Sequence, residues 1–190
     1  MLGNDIIDTA LTRESTDWTR SGWLDKVCSL EEQDVILRSH DPFSTVWRIW
    51  SMKESAYKVN IQKGFEHAFN PSYFETQILN NIDGKVRFGD MVLETITEFT
   101  EDYIHTAAAQ RYNGLPAIHT GIVADLHNLK RSLREQISES YSIPLEDVEI
   151  QYTDKRVPYI YNTKNQKVSP VSISHHGNYG AYTFYKHTGI

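Results

Sequence analysis

Residues 44–61 read STVWRIWSMKESAYKVNI, and their apolar members Val46, Trp47, Ile49, Trp50, Ala56, Tyr57 and Ile61 recur at the spacing of one helix face. The spacing predicts a long helix, with Asp41-Pro42 separating it from the segment before and Gly64 as its stop. Upstream, Ser29-Leu30-Glu31-Glu32 has the spacing of a capping box and predicts a shorter helix through about Leu37. Further upstream, Leu2 to Ile7 reads as a short buried strand. Downstream, Tyr73–Ile82, Lys85–Phe88, Met91–Phe99 and Tyr103–Gln110 are rich in β-branched and aromatic residues. Asp83-Gly84, Gly89-Asp90 and Glu101-Asp102 punctuate them, as in an antiparallel meander.

The pattern then restarts. Asn113-Gly114-Leu115-Pro116 is the clearest loop. After it come a strand at Ile118–Ala124, an amphipathic helix at Leu126–Tyr141, and strand pieces at Val148–Tyr152, Pro158–Asn162, Val168–Ile173 and Tyr179–Tyr185. Each half thus reads as strand, long helix, then antiparallel strands. The expected fold class is α+β, two pseudo-equivalent halves, each a long helix packed on an antiparallel sheet. Residues 1–114 and 115–190 are the expected halves of one compact pseudo-dimeric domain.

Composition bounds what this fold can do. With 39% hydrophobic and 12% aromatic residues the chain can build a core. No apolar run approaches the roughly 20 residues that span a bilayer. A lone cysteine, Cys28, forms no internal disulfide, and no charged-then-apolar leader precedes LGNDIID, so a cytoplasmic setting is expected. The net charge of −6 argues against broad attraction to nucleic acid or anionic lipid. Acids crowd the front of the chain, whereas Lys130, Arg131, Arg134, Lys155, Arg156, Lys164 and Lys167 lie late. That asymmetry suits a metal on one half and phosphates on the other.

Three short segments carry residues able to do chemistry. On the long helix, Ser51, Glu54 and Lys58 share one side, which by itself also describes an ordinary solvated Glu-Lys pair. In Gly3-Asn4-Asp5-Ile6-Ile7-Asp8, Asp5 sits inside an apolar run and must bind a cation or take several donors. A turn-stabilising or capping role is the alternative. Two or three acidic oxygens, completed by water and phosphate oxygens, suit octahedral magnesium. Lastly, Ser172-Ile173-Ser174-His175-His176-Gly177 ends a strand in hydroxyls, imidazoles and a glycine. This is a phosphate cradle or, equally, routine strand-end hydrogen bonding.

Taken together, GND, then WSMKESAYK, then SISH resemble the phosphopantetheinyl transferase superfamily, in the motif order of its holo-acyl-carrier-protein synthase branch. Flanking pieces, SLEEQ at 29–33 and YSIPLEDVEI at 141–150 ahead of KRVPY at 155–159, are similar too, and the length suits the pseudo-dimeric, surfactin-synthetase-activating branch. The resemblance implies a monomer with its two halves in swapped order. It implies transfer of 4'-phosphopantetheine from coenzyme A to a serine of an apo acyl or peptidyl carrier protein, with Mg2+ as cofactor. A non-catalytic homologue that binds coenzyme A or a carrier protein is the alternative.

By resemblance, Asp5, Glu54 and Asp8 hold the metal, and Glu54 and Lys58 are the catalytic pair. Lys53, Lys130, Arg134, Lys155, Arg156, Ser174 and His175 meet the coenzyme, His175 at its 3'-phosphate. Lys53 faces away from Glu54 and reaches either a phosphate or a neighbouring acid. Three positions depart from the family pattern: Asp8 stands for a glutamate, Val157 for the lysine before proline, and Asn4 for an apolar residue.

Overall fold

The computed structural model describes residues 1–65, 68–110, 117–164 and 166–186. Strand β1 (Leu2–Asp8) leads into helices α1 (Thr9–Ser15), α2 (Trp23–Val27), α3 (Leu30–Arg38) and α4 (Pro42–Gln62). Strands β2 (Glu75–Ile78), β3 (Asp83–Phe88), β4 (Met91–Phe99) and β5 (Tyr103–Ala109) follow. The second half runs β6 (Ile118–Val123), α5 (Leu129–Tyr141), β7 (Val148–Tyr152), β8 (Pro158–Asn162), β9 (Lys167–His176) and β10 (Tyr179–Tyr185).

Among the described residues the strands form two five-stranded antiparallel sheets, ordered β1-β5-β4-β3-β2 and β6-β10-β9-β8-β7. The two orders are the same topology written twice. In each, the first strand pairs with the last and the meander runs back from there. The expected α+β architecture of two pseudo-equivalent halves is what the chain adopts. The boundary expected at residues 113–116 lies outside the described residues. No helix among those described is long and apolar enough to cross a membrane.

Local chemistry explains the elements. Ser29 caps α3 through its side chain while Glu32 returns a bond to the Ser29 amide, the full capping box. Pro42 occupies the first turn of α4, where its missing N–H costs nothing, and the Asp41 side chain accepts from Ser44 N. The helix α4 packs on the first sheet through Met52, Ala56 and Val59 against Val86, Leu93 and Ala108. Its equivalent α5 packs Leu129, Leu133 and Ile137 on Val148, Ile160, Tyr182 and Phe184. The first half holds a second cluster around Trp23, Ile36, Trp47 and Ile104, and a small one of Leu2, Ala109 and Tyr185 joins the two halves.

Three expectations are corrected. Helices α1 and α2 were not expected. Asp83-Gly84 is not a turn but the start of β3; the reversal comes before it, where Asn80 Oδ1 accepts from the amides of Ile82 and Asp83. The helix expected from Leu126 begins at Leu129, after a 3-10 turn over Leu126–Asn128.

Candidate active site

The two halves meet where β1 lies across β9 and β10. Residues of β1 alternate in direction, as in any strand. Gly3 faces α4 so closely that a β-carbon there would collide with the Ser55 carbonyl oxygen, so only glycine allows this approach. Asp5 follows on the same face, and Lys58 Nζ donates to Asp5 Oδ1 (3.2 Å) and to Asn4 O (2.7 Å). Ser51 Oγ donates to Asp5 O at 3.3 Å.

The opposite face of β1 meets the second half. Asn4 is fully buried. Its Nδ2 donates to Ser172 O at 2.8 Å, its amide donates to Ser172 Oγ at 2.9 Å, and Ser174 Oγ donates to its Oδ1. The asparagine in GND is therefore the stitch that joins the GND and SISH motifs. Replacing Asn4 by alanine leaves Ser172 O and Ser174 Oγ buried without these partners. At about 1–3 kcal/mol per unsatisfied group, a loss of about 2–4 kcal/mol is expected. Guanidinium denaturation measures it, and a loss below about 1 kcal/mol would refute this role.

One end of this seam opens into a cavity of about 350 Å3 whose walls include Asp5, Thr12, Trp23, Trp50, His175 and His176. Trp23, Trp47 and Trp50 form an edge-packed aromatic cluster beside it, with Trp23 and Trp47 centroids 5.6 Å apart. That apolar wall sets the electrostatics. Burial pushes the Asp5 carboxyl up, against the opposing pull of Lys58. Burial, then the charge of Asp5, pushes Glu54 up to about 7. Asp5 Oδ2 is buried with no hydrogen-bond partner.

Two half-buried carboxylates thus crowd one another, with a lysine as partial counter-charge and one oxygen unserved. Such a donor set fits a hard divalent cation that keeps most of its water. Among the described residues no group of three or more His, Cys, Asp or Glu side chains forms a metal cage, so protein ligands alone would not complete its shell.

Asp8 does not join Asp5 and Glu54, which corrects the expectation of a third acidic ligand. It lies on the other face of β1. Its Oδ1 accepts from Leu11 N (3.0 Å) as the cap of α1, and its Oδ2 accepts from Asn178 N (3.0 Å) in the β9–β10 turn. Although burial opposes them, these backbone donors hold its carboxyl below the usual range. Gly177 in that turn has φ +55°, and a β-carbon there would strike the Asp8 carboxylate. The amide of Asp8 also donates to His176 Nδ1 at 2.9 Å.

Of the two alternatives for Lys53, the neighbouring acid is the one the structure shows, and it is Glu32. It is 1% exposed, and its ammonium donates to Glu32 Oε2 (2.6 Å), Val27 O (2.7 Å) and Pro71 O (3.1 Å), leaving no donor for a coenzyme phosphate. Arg134 ties α5 to the following connection through Val148 O and Leu145 O. Lys130 is exposed and stands over the Tyr152 ring. Lys155 reaches Gly64 O across the halves at 3.2 Å, and Arg156 occupies an exposed turn at φ +58°. Val157 is buried, which explains why a lysine does not stand there. The sequence reading missed Asn4, His176 and the Trp23 and Trp50 wall. For Asn4 alone a signal existed, a polar residue inside an apolar strand.

Fold and site together define a tandem α+β protein whose paired carboxylates sit at the seam between two like halves. The family model of the 4'-phosphopantetheinyl transferase superfamily matches residues 1–110, and the chain belongs to that superfamily. Its chemistry is, in general terms, phosphopantetheinyl transfer, with coenzyme A and carrier proteins as the molecules acted on. A search of curated proteins finds no match to this chain.

Proposed function

We propose that this protein transfers the 4'-phosphopantetheine arm of coenzyme A to a serine hydroxyl of an apo carrier protein, releasing adenosine 3',5'-bisphosphate, with magnesium as cofactor. The observation that carries this reading is the single cavity shared by Asp5 of the first half and His175 and His176 of the second, with Glu54 and Lys58 beside Asp5. Acid and imidazole are thereby offered to two ends of one ligand.

In this reading Asp5 and Glu54 hold the ion, which the unserved Oδ2 of Asp5 and the crowding of the two carboxylates favour. When bound, a divalent ion offsets the charge of the coenzyme pyrophosphate and steadies the 5'-phosphate of the departing adenosine 3',5'-bisphosphate. Glu54 accepts the proton of the attacking serine. The serine oxygen forms the new bond to phosphorus as the bond to the bridging oxygen breaks. The Lys58 ammonium then faces the growing negative charge. Ser174 and His175 serve the nucleotide end, and Lys130, Lys155 and Arg156, all exposed in the second half, are assigned to its phosphates.

Incubation with coenzyme A, magnesium chloride and an apo carrier protein is expected to add the mass of one phosphopantetheine arm to the carrier, read by intact-protein mass spectrometry. Unmodified carrier after prolonged incubation with acyl, aryl and peptidyl types would refute the proposal.

A further inference from the structure

The repeated topology means that the seam carrying Asp5 has a counterpart. Superposing the β4–β5 and β9–β10 turns at Tyr103 and Tyr179 makes β6 the equivalent of β1, and β4 the equivalent of β9. At equal steps from these tyrosines, Gly121 stands where Asp5 stands and Thr120 where Asn4 stands. Ile96 and Glu98 replace Ser172 and Ser174. The stitch is missing here. Thr120 bonds Thr183 within its own sheet, at 3.2 Å between hydroxyls, rather than reaching across.

The second seam opens into a cavity of about 890 Å3, against about 350 Å3 at the first. Its walls include Ile96, Glu98, His105, Ala107, Ile118 and Tyr185, and none of Asp5, Glu54, Lys58 or His175. Ile96 is 57% exposed to it, while His105 is 97% buried (3% exposed) with Nε2 lacking any hydrogen-bond partner. An unsatisfied buried polar atom at the wall of a cavity this size is what a small-molecule site presents before its ligand arrives.

We propose that this second seam binds a neutral, apolar-bodied small molecule carrying one hydrogen-bonding group that meets His105. Anions are disfavoured because Asp83, Glu94 and Glu98 line the same cavity against one cation, Lys85. A metal is disfavoured because, among the described residues, no three His, Cys, Asp or Glu side chains come together to hold one. Burial, then the charge of Lys58, holds the His105 imidazole down at about 3, so it stays neutral and offers a hydrogen bond without charge. Ala107, Ile118 and Ile96 supply the apolar surface.

The neutral arylamine N-phenyl-1-naphthylamine, whose emission rises in apolar surroundings, is a suitable probe. Titration into the intact protein is expected to saturate at one site per chain. Ile96→Glu, a change at an exposed position, is expected to weaken binding at least tenfold and to leave carrier modification unchanged. Glu54→Gln and excess coenzyme A are expected to leave probe binding intact. Binding that fails to saturate, that survives Ile96→Glu within twofold, or that coenzyme A displaces would overturn the proposal.

Discussion

Glu54→Gln is expected to lower phosphopantetheine transfer by about 10²–10⁴-fold, the range over which a positioned acid or base acts. The substitution keeps the shape of the side chain and removes its charge and basicity. Because burial and the charge of Asp5 already favour the protonated form of Glu54, the amide relieves crowding instead of creating a hole. The fold should persist. Magnesium is expected to raise the melting temperature of the wild-type protein by preferential binding to the folded state, and that shift should be lost in the variant.

The pH dependence supplies a third readout. In metal-free protein burial and the charge of Asp5 raise the Glu54 carboxyl from its ordinary 4.5 to about 7. Its protonated form favours the folded state, so the contribution is full below about 4.5 and lost as pH rises toward 7. Glu54→Gln should flatten that decline. Transfer by Glu54→Gln at the wild-type rate would remove this residue from the chemistry, whatever its effect on stability.

Lys53→Met is expected to destabilise the protein by about 3–5 kcal/mol, since it removes one partner of a buried ion pair and leaves the other. Glu32 is 4% exposed. Its Oε1 accepts from both the amide and the hydroxyl of Thr76, and its Oε2 from Ser29 N and Lys53 Nζ. The pair joins α3, α4 and β2 at one point. Methionine retains the stem and its packing, so the loss reads out the charge. Urea denaturation measures it, and adding Glu32→Gln should recover part of the stability by neutralising the stranded acid. A loss under about 1 kcal/mol, or no recovery in the double variant, would contradict this account.

The contrast between Lys53 and Glu54 shows what a sequence carries and what it withholds. Helical spacing places the two on different faces of α4, and that much is legible from WSMKESAYK. What faces each of them is not. Glu32 lies on another helix, and its meeting with Lys53 depends on how α3 docks. Likewise Asn4 was visible as a polar interruption in an apolar strand, but its partners, Ser172 and Ser174, belong to the far end of the chain. Asp8 ends a strand and caps a helix at once, and α1 and α2, of seven and five residues, are too short to show periodicity. The repeated strand-helix-meander plan was legible because each half encloses its own core. The seam was not, because it is built from side chains that only the assembled halves bring together.

Strand β1 is hydrogen-bonded into one sheet and laid, side chain by side chain, over the other. Fraying at this position would separate the two halves of the molecule, and Asp5 rides on the same backbone. The pocket beside Asp5 therefore has no inexpensive partial opening of its own; it comes apart when the whole protein does, and ligands must enter through its mouth.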